Sequence, residues 1–260
     1  MAKERYGDVA VSCRDHVATV EIRRPPHNFF DRQLIADLAD AFEDLDRLHD
    51  CRVIVLAAEG KSFCAGANFD GASILEHGEA RGRNPLYDEA VRLFACLKPV
   101  VAAVQGAAIG GGLGLALAAD FRFASPEARF AANFVRLGIH PGFGLTHTLP
   151  AVIGQQRALE MFLTARRVDG EEAARWGLAD RLVPQERLRD EALAFAAEIA
   201  AGAPLAVQST RLTLRRHVAT LVREQTDREG AEQSWLSRTR DHAEGIRAVS
   251  ERRAGRFEGR

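Results

Sequence analysis

The chain has little cysteine: four among 260 residues, Cys13, Cys51, Cys64 and Cys96, with no CxxC pair and no Cys/His pairing at metal-ligand spacing. No metal site is expected from them. A chain long enough to bury a sizeable core needs no disulfide staples, so the thiols are expected to be reduced and mostly buried. Charge of one sign is also missing, because 35 Lys and Arg oppose 36 Asp and Glu for a formal net charge of -1. That balance gives no reason to expect nucleic acid or a membrane surface as the main partner. Long hydrophobic runs are absent too. The longest apolar stretch, Val100 to Ala119, is interrupted by Gln105 and five glycines, which argues against a membrane span. The opening Met-Ala-Lys-Glu-Arg-Tyr is charged and does not read as a signal peptide, so a cytoplasmic location is expected. No repeat or low-complexity tract is present. With 47% apolar and 27% charged residues, the composition is that of a folded globular protein.

The residues present alternate between strand and helix patterns. Val17 to Ile22 is β-branched and ends at Arg23-Arg24-Pro25-Pro26, a strand running into a turn. After Asp31, a plausible N-cap, apolar residues from Leu34 to Leu48 recur at helical spacing. Val53 to Ala58 and Val100 to Val104 are continuous apolar runs suited to strands covered on both faces, and a helix is expected from about Pro85 to Cys96. Phe121 to Ala124 and Arg129 to Ala131 are short strand candidates. The alternation predicts an α/β layered core with parallel strands. From Leu145 onward helices dominate, including one expected over Leu205 to Ser234 and a terminal one within Asp241 to Arg260.

Two segments carry the chemistry. Ser62 to Asn68 follows one buried strand, and Gln105 to Gly114 follows another and opens a helix. Small residues let backbone N–H groups face a pocket unobstructed, and a helix N-terminus adds unpaired N–H groups and a positive dipole end. Two such donors converging would stabilise an enolate or tetrahedral oxyanion. Phosphate binding is the rival, but the run lacks the Lys of GxxxxGK[ST] and the order of GxGxxG. A plainer alternative is that the glycines only let a helix pack closely on a sheet.

Beyond these local readings, the sequence resembles the crotonase, or enoyl-CoA hydratase/isomerase, family from about Val17 to the C-terminus. Phe63 to Asn68 is similar to its F-x-A-G-x-D segment, and Lys98 to Gly112 to its K-P-V-I-A-A-V-x-G-x-A-x-G-G-G run. Leu117 to Asp120, Leu137 to Gly142, Leu163-Thr164 and Ala173 to Ala179 match later motifs in order. The resemblance implies an α/β fold with a crotonase-like ββα spiral core over residues 1–200 and a helical trimerisation region over residues 201–260. It also implies a homotrimer or a hexamer built as a dimer of trimers. The implied substrate is an acyl-CoA thioester, with coenzyme A part of the substrate and no separate cofactor. The oxyanion donors fall on the backbone N–H groups of Ala67 and Gly111. Substrate contacts fall on Asn28, Ala65, Gly66, Asn68, Gly110, Gly114, Phe134 and Arg252, the last beside Val249 where relatives commonly carry Lys and Phe.

The sequence departs from the family at its proton-transfer residues. The two glutamates of its hydratases correspond to Gly114 and Phe134, and the Asp beside the first oxyanion residue to Asn68. Neither glycine nor phenylalanine moves a proton, a role that supplies roughly 10²–10⁴-fold in rate. The reaction is therefore left open among substitute-residue hydration or isomerisation, decarboxylation, hydrolysis, and CoA binding without turnover. His140 and Tyr87 are the leading substitute candidates, followed by His147, Asp70, Glu89, Asn133 and Cys64. Phe134 is expected to make the acyl pocket apolar, and Gly114 to leave room in it for a bulkier or different acyl group.

Overall fold

A computed structural model describes residues 2–67 and 84–260. Asn68 and Asp70 lie outside the described residues. Elements are numbered among those residues. The chain begins with β1 (Arg5–Tyr6), β2 (Val9–Arg14), β3 (Val17–Ile22), α1 (Arg32–Asp46), β4 (Val53–Ala58) and α2 (Pro85–Phe94). It continues through β5 (Val100–Val104), β6 (Ala107–Ile109), α3 (Gly111–Ala118), β7 (Phe121–Ala124) and β8 (Arg129–Ala131). A 3-10 turn at Asn133–Leu137 leads to α4 (Leu145–Ile153), α5 (Gln155–Thr164), β9 (Val168–Asp169), α6 (Gly170–Trp176) and β10 (Arg181–Leu182). The last helices are α7 (Leu188–Ala200), α8 (Pro204–Arg215), α9 (Val218–Leu236) and α10 (Arg240–Ser250).

Seven strands form the main sheet in the order β1-β2-β3-β4-β5-β7-β10. The first three pair antiparallel, and β3 through β10 pair parallel. β4 shows why its sequence is continuously apolar. Ile54, Leu56 and Ala58 face the larger core beneath α1, while Val53, Val55 and Ala57 face a second core against Leu188, Ala192 and Ala196 of α7. α1 starts where its cap allows, with the Asp31 carboxylate accepting from the Leu34 N–H at 2.8 Å. All four cysteines are free thiols, three of them buried and Cys13 exposed.

A smaller sheet, β6-β8-β9, stands beside the first. The segment after β4 joins it, because the Cys64 N–H donates to the Ala107 carbonyl and the Ile109 N–H to the Cys64 carbonyl. This pairing carries the two glycine-bearing segments side by side.

One helical expectation is corrected, and the terminal helix expected within Asp241 to Arg260 is found as α10. The helix expected over Leu205 to Ser234 is broken into α8 and α9. Arg211 and Arg215 hold α8 to Asp120 at the end of α3, whereas α9 packs on α2 and α4, so the chain must turn between them. The terminal stretch is helical only to Ser250. Its last residues fold back, with the Glu258 and Gly259 N–H groups donating to the Asp241 carboxylate.

Candidate active site

The turn after β6 needs glycine for two reasons. Gly110 has φ 56° and ψ -122°, a conformation closed to side chains, and it swings the chain from strand into α3. At Gly112 a Cβ would lie 2.1 Å from the Cys64 carbonyl oxygen, so only glycine lets the two segments touch. The close-packing reading of these glycines is therefore correct as far as it goes. It also brings Ala67 and Gly111 to one cavity. Gly111 opens α3, where helix geometry leaves its N–H without an intrahelical acceptor. Among the described residues, neither the Ala67 nor the Gly111 N–H donates to a protein acceptor.

The cavity, about 70 Å³, is lined by Ala65, Gly66, Ala67, Ile109, Gly110 and Gly111 on the backbone side. Phe30, Leu86, Phe134, Leu137, Ile139 and Phe143 make its apolar wall, and Tyr87, Asn133 and Gln233 are its polar side chains. Tyr87 is the only titratable group among these residues. Its hydroxyl donates to Gln233 Oε1 at 2.7 Å, and burial pushes its pKa well above the ordinary phenol value. The phenol stays protonated at neutral pH, with its one proton engaged by Gln233.

Phe134 lines the cavity as expected, but the room expected at Gly114 is not there. A Cβ on Gly114 would lie 2.6 Å from Phe143 Cδ1 and 2.9 Å from Phe143 Cβ and Cγ. Phe143 fills that space, packed edge-on to Phe30 and Phe94 with ring centroids 5.8 and 6.5 Å away. The space beside Gly114 is thus occupied by an aromatic ring.

Other candidates sit elsewhere. His140 borders a separate surface hollow with Trp235 and Leu163, and its Nδ1 lies 2.8 Å from the Pro141 carbonyl. Asn28 is buried, with Nδ2 donating to the Glu59 and Ser62 carbonyls and Oδ1 accepting from the Arg24 N–H, so its side chain clips two loops together. Cys64 is fully buried and burial pushes its thiol up to about 12, which leaves no thiolate for attack. Glu89 is engaged by Arg92 and Arg32. His147 lies on α4 away from the cavity lining. Arg252 borders a second hollow of about 730 Å³ with Arg136, Arg167 and Val249, adjoining the first through Ile109 and Asn133.

Sequence reading missed Phe30, Phe143, Gln233 and Glu229. The spacing Val222, Thr226, Glu229, Gln233 was the available signal, since it places polar residues on the buried face of α9.

Among known proteins, the enoyl-CoA hydratase/isomerase family matches residues 13–260 of this chain. The chain is 34% identical to (E)-benzylidenesuccinyl-CoA hydratase of Thauera aromatica, over 96% of this chain and 99% of that protein. It is 32% identical to the human mitochondrial Delta(3,5)-Delta(2,4)-dienoyl-CoA isomerase, over 92% of this chain and 78% of that one. A crystal structure of an enoyl-CoA hydratase/isomerase from Pseudoalteromonas atlantica superposes with a TM-score of 0.87 at 30% identity, covering 96% of this chain and 100% of the other. The chain belongs to the enoyl-CoA hydratase/isomerase family and has the crotonase fold.

Proposed function

We propose that the protein processes an acyl-CoA thioester by holding its carbonyl between the Ala67 and Gly111 N–H groups and stabilising an enolate there. The observation that carries this reading is the shared cavity: among the described residues, Ala67 and Gly111, whose backbone N–H groups have no protein acceptor, line one apolar space whose only titratable lining group is a phenol. Donors fixed in a water-poor site stabilise developing negative charge strongly, at about 3–4 kcal/mol for each donor. Tyr87 borders the acyl group and is its proton donor once the hydroxyl, which donates to Gln233 Oε1 at 2.7 Å in the free protein, turns from that acceptor to the substrate. The adjoining hollow with Arg136, Arg167 and Arg252 takes the anionic part of coenzyme A, since none of these three has a carboxylate partner among the described residues.

A hydratase or isomerase reaction is favoured by the names of the relatives, a hydratase and an isomerase. A second reading has its own observation. No base lines the cavity among the described residues, and loss of CO₂ from a malonyl-type thioester makes an enolate without one, needing only the oxyanion hole and a proton donor. The chain works as a homotrimer or a dimer of trimers, supported by the exposed apolar residues Leu205, Leu214 and Trp235.

The test is a panel of enoyl-, malonyl-type and β-keto-CoA thioesters followed by mass spectrometry. Turnover of any member that collapses in Tyr87→Phe supports an enzyme of this kind. Tight binding of all with no product would show instead an acyl-CoA-binding protein without catalysis.

A further inference from the structure

Glu229 is a buried carboxyl that the proposed chemistry does not use. It is fully buried on α9, and among the described residues no Lys, Arg or His forms an ion pair with it. Its oxygens face one short segment of chain. Oε2 accepts from the Gly144 N–H at 2.7 Å, and Oε1 accepts from the Thr146 N–H at 3.0 Å and the Thr146 hydroxyl at 2.6 Å. These are the first amides of α4, whose N-cap Gly144 has no side chain to cap with. Glu229 therefore supplies from another helix the cap that α4 lacks, at the end where the helix dipole favours an acceptor.

What this cap holds is the wall of the cavity. Phe143 and Gly144 both have positive φ, 65° and 72°, so the turn adopts a backbone shape that a phenylalanine resists on its own. The same face of α9 grips the other end of the segment, where Gln233 Nε2 donates to the His140 carbonyl at 2.9 Å. Between the two grips the Phe143 ring is pressed against Gly114.

We propose that Glu229 is a positioning residue that sets acyl selectivity: by capping the Gly144–Thr146 turn it fixes the Phe143 ring that closes the cavity over Gly114. This rests on the acyl-cavity reading above. With the cap in place the ring excludes bulky acyl groups, and without it the ring swings and admits them.

The test places 4-fluorophenylalanine at position 143 and reads its fluorine resonance in the full-length protein. Binding of crotonyl-CoA and phenyl-bearing cinnamoyl-CoA is measured alongside, in the otherwise native chain. Glu229→Leu removes both acceptors, Glu229→Gln restores one, and Thr146→Val removes one donor should the leucine variant fold poorly. Glu224→Gln, exposed on the same helix, is the control. The resonance should move in the leucine and valine variants and return part-way in the glutamine variant. The preference for crotonyl over cinnamoyl should fall about tenfold, the scale on which apolar pockets discriminate by size. An unmoved resonance overturns the proposal, as does a moved resonance with unchanged preference. A wild-type chain that binds neither thioester overturns the acyl-cavity reading and the selectivity with it, a failure told apart because it appears before any substitution.

Discussion

Replacing Gly114 by alanine should destabilise this protein, although the same change inside most helices stabilises. Gly114 lies within α3, and a mid-helix glycine ordinarily costs about 0.5–1 kcal/mol relative to alanine. Here the new methyl would fall 2.6–2.9 Å from three atoms of Phe143. That ring is 1% exposed and wedged between Phe30 and Phe94, so it cannot step aside freely. Overpacking of a tight core costs about 1–3 kcal/mol, and the helix gain offsets part of it, for a net loss of about 1–2 kcal/mol. In a chain of this size that is a fall in Tm of about 2–8 °C. Phe143→Ala alone should cost about 3–5 kcal/mol. Once the ring is gone the clash is gone, and Gly114→Ala should then add about 0.5–1 kcal/mol of stability. A double-mutant cycle by urea unfolding reads the reversal of sign. If Gly114→Ala stabilises with Phe143 still present, the ring does not occupy that space and the account of the cavity wall is wrong.

Tyr87→Phe should lower kcat by about 10²–10⁴-fold if the phenol is the proton donor, and should cost about 1–3 kcal/mol of stability by leaving Gln233 Oε1 without its donor; kinetics and thermal unfolding separate the two effects. Arg252→Ala should raise KM for a CoA thioester about two- to fivefold with kcat unchanged, and the difference should shrink at high salt, as screening requires. Glu229 gives a pH signature. Burial pushes its pKa from the ordinary 4.5 to about 7, so the folded protein holds a proton that the unfolded chain releases in between. Its contribution to stability is therefore full below about pH 4.5 and lost as pH rises through about 7, by an amount on the order of 3 kcal/mol. Unfolding free energies measured from pH 4.5 to 8 should fall more steeply for the wild type than for Glu229→Gln.

Much of the fold was legible because its signals are local. β4 and β5 are unbroken apolar runs, Asp31 caps α1 where it stands in the sequence, and the strand–helix alternation follows from the two periods. The break between α8 and α9 was not legible, because its cause is the attachment of Arg211 and Arg215 to an aspartate far away in the chain.

For the site, the sequence by itself determined the two backbone turns that meet at the cavity. Glycines and alanines around Ala67 and Gly111 dictate a close approach of two strand ends whatever surrounds them, and no carboxylate stands at Gly114 or Phe134. Tertiary structure alone decided what fills the space beside Gly114. An absent side chain at Gly114 reads in the sequence as room. It became a wall because Phe143, held by contacts from α9, packs into it, and such a contact between distant residues has no local pattern to betray it. The same holds for the two candidate proton donors. His140 and Tyr87 are equally plausible as letters, and only the direction in which α2 and the 137–142 loop point brings the phenol to the cavity and carries the imidazole to another face.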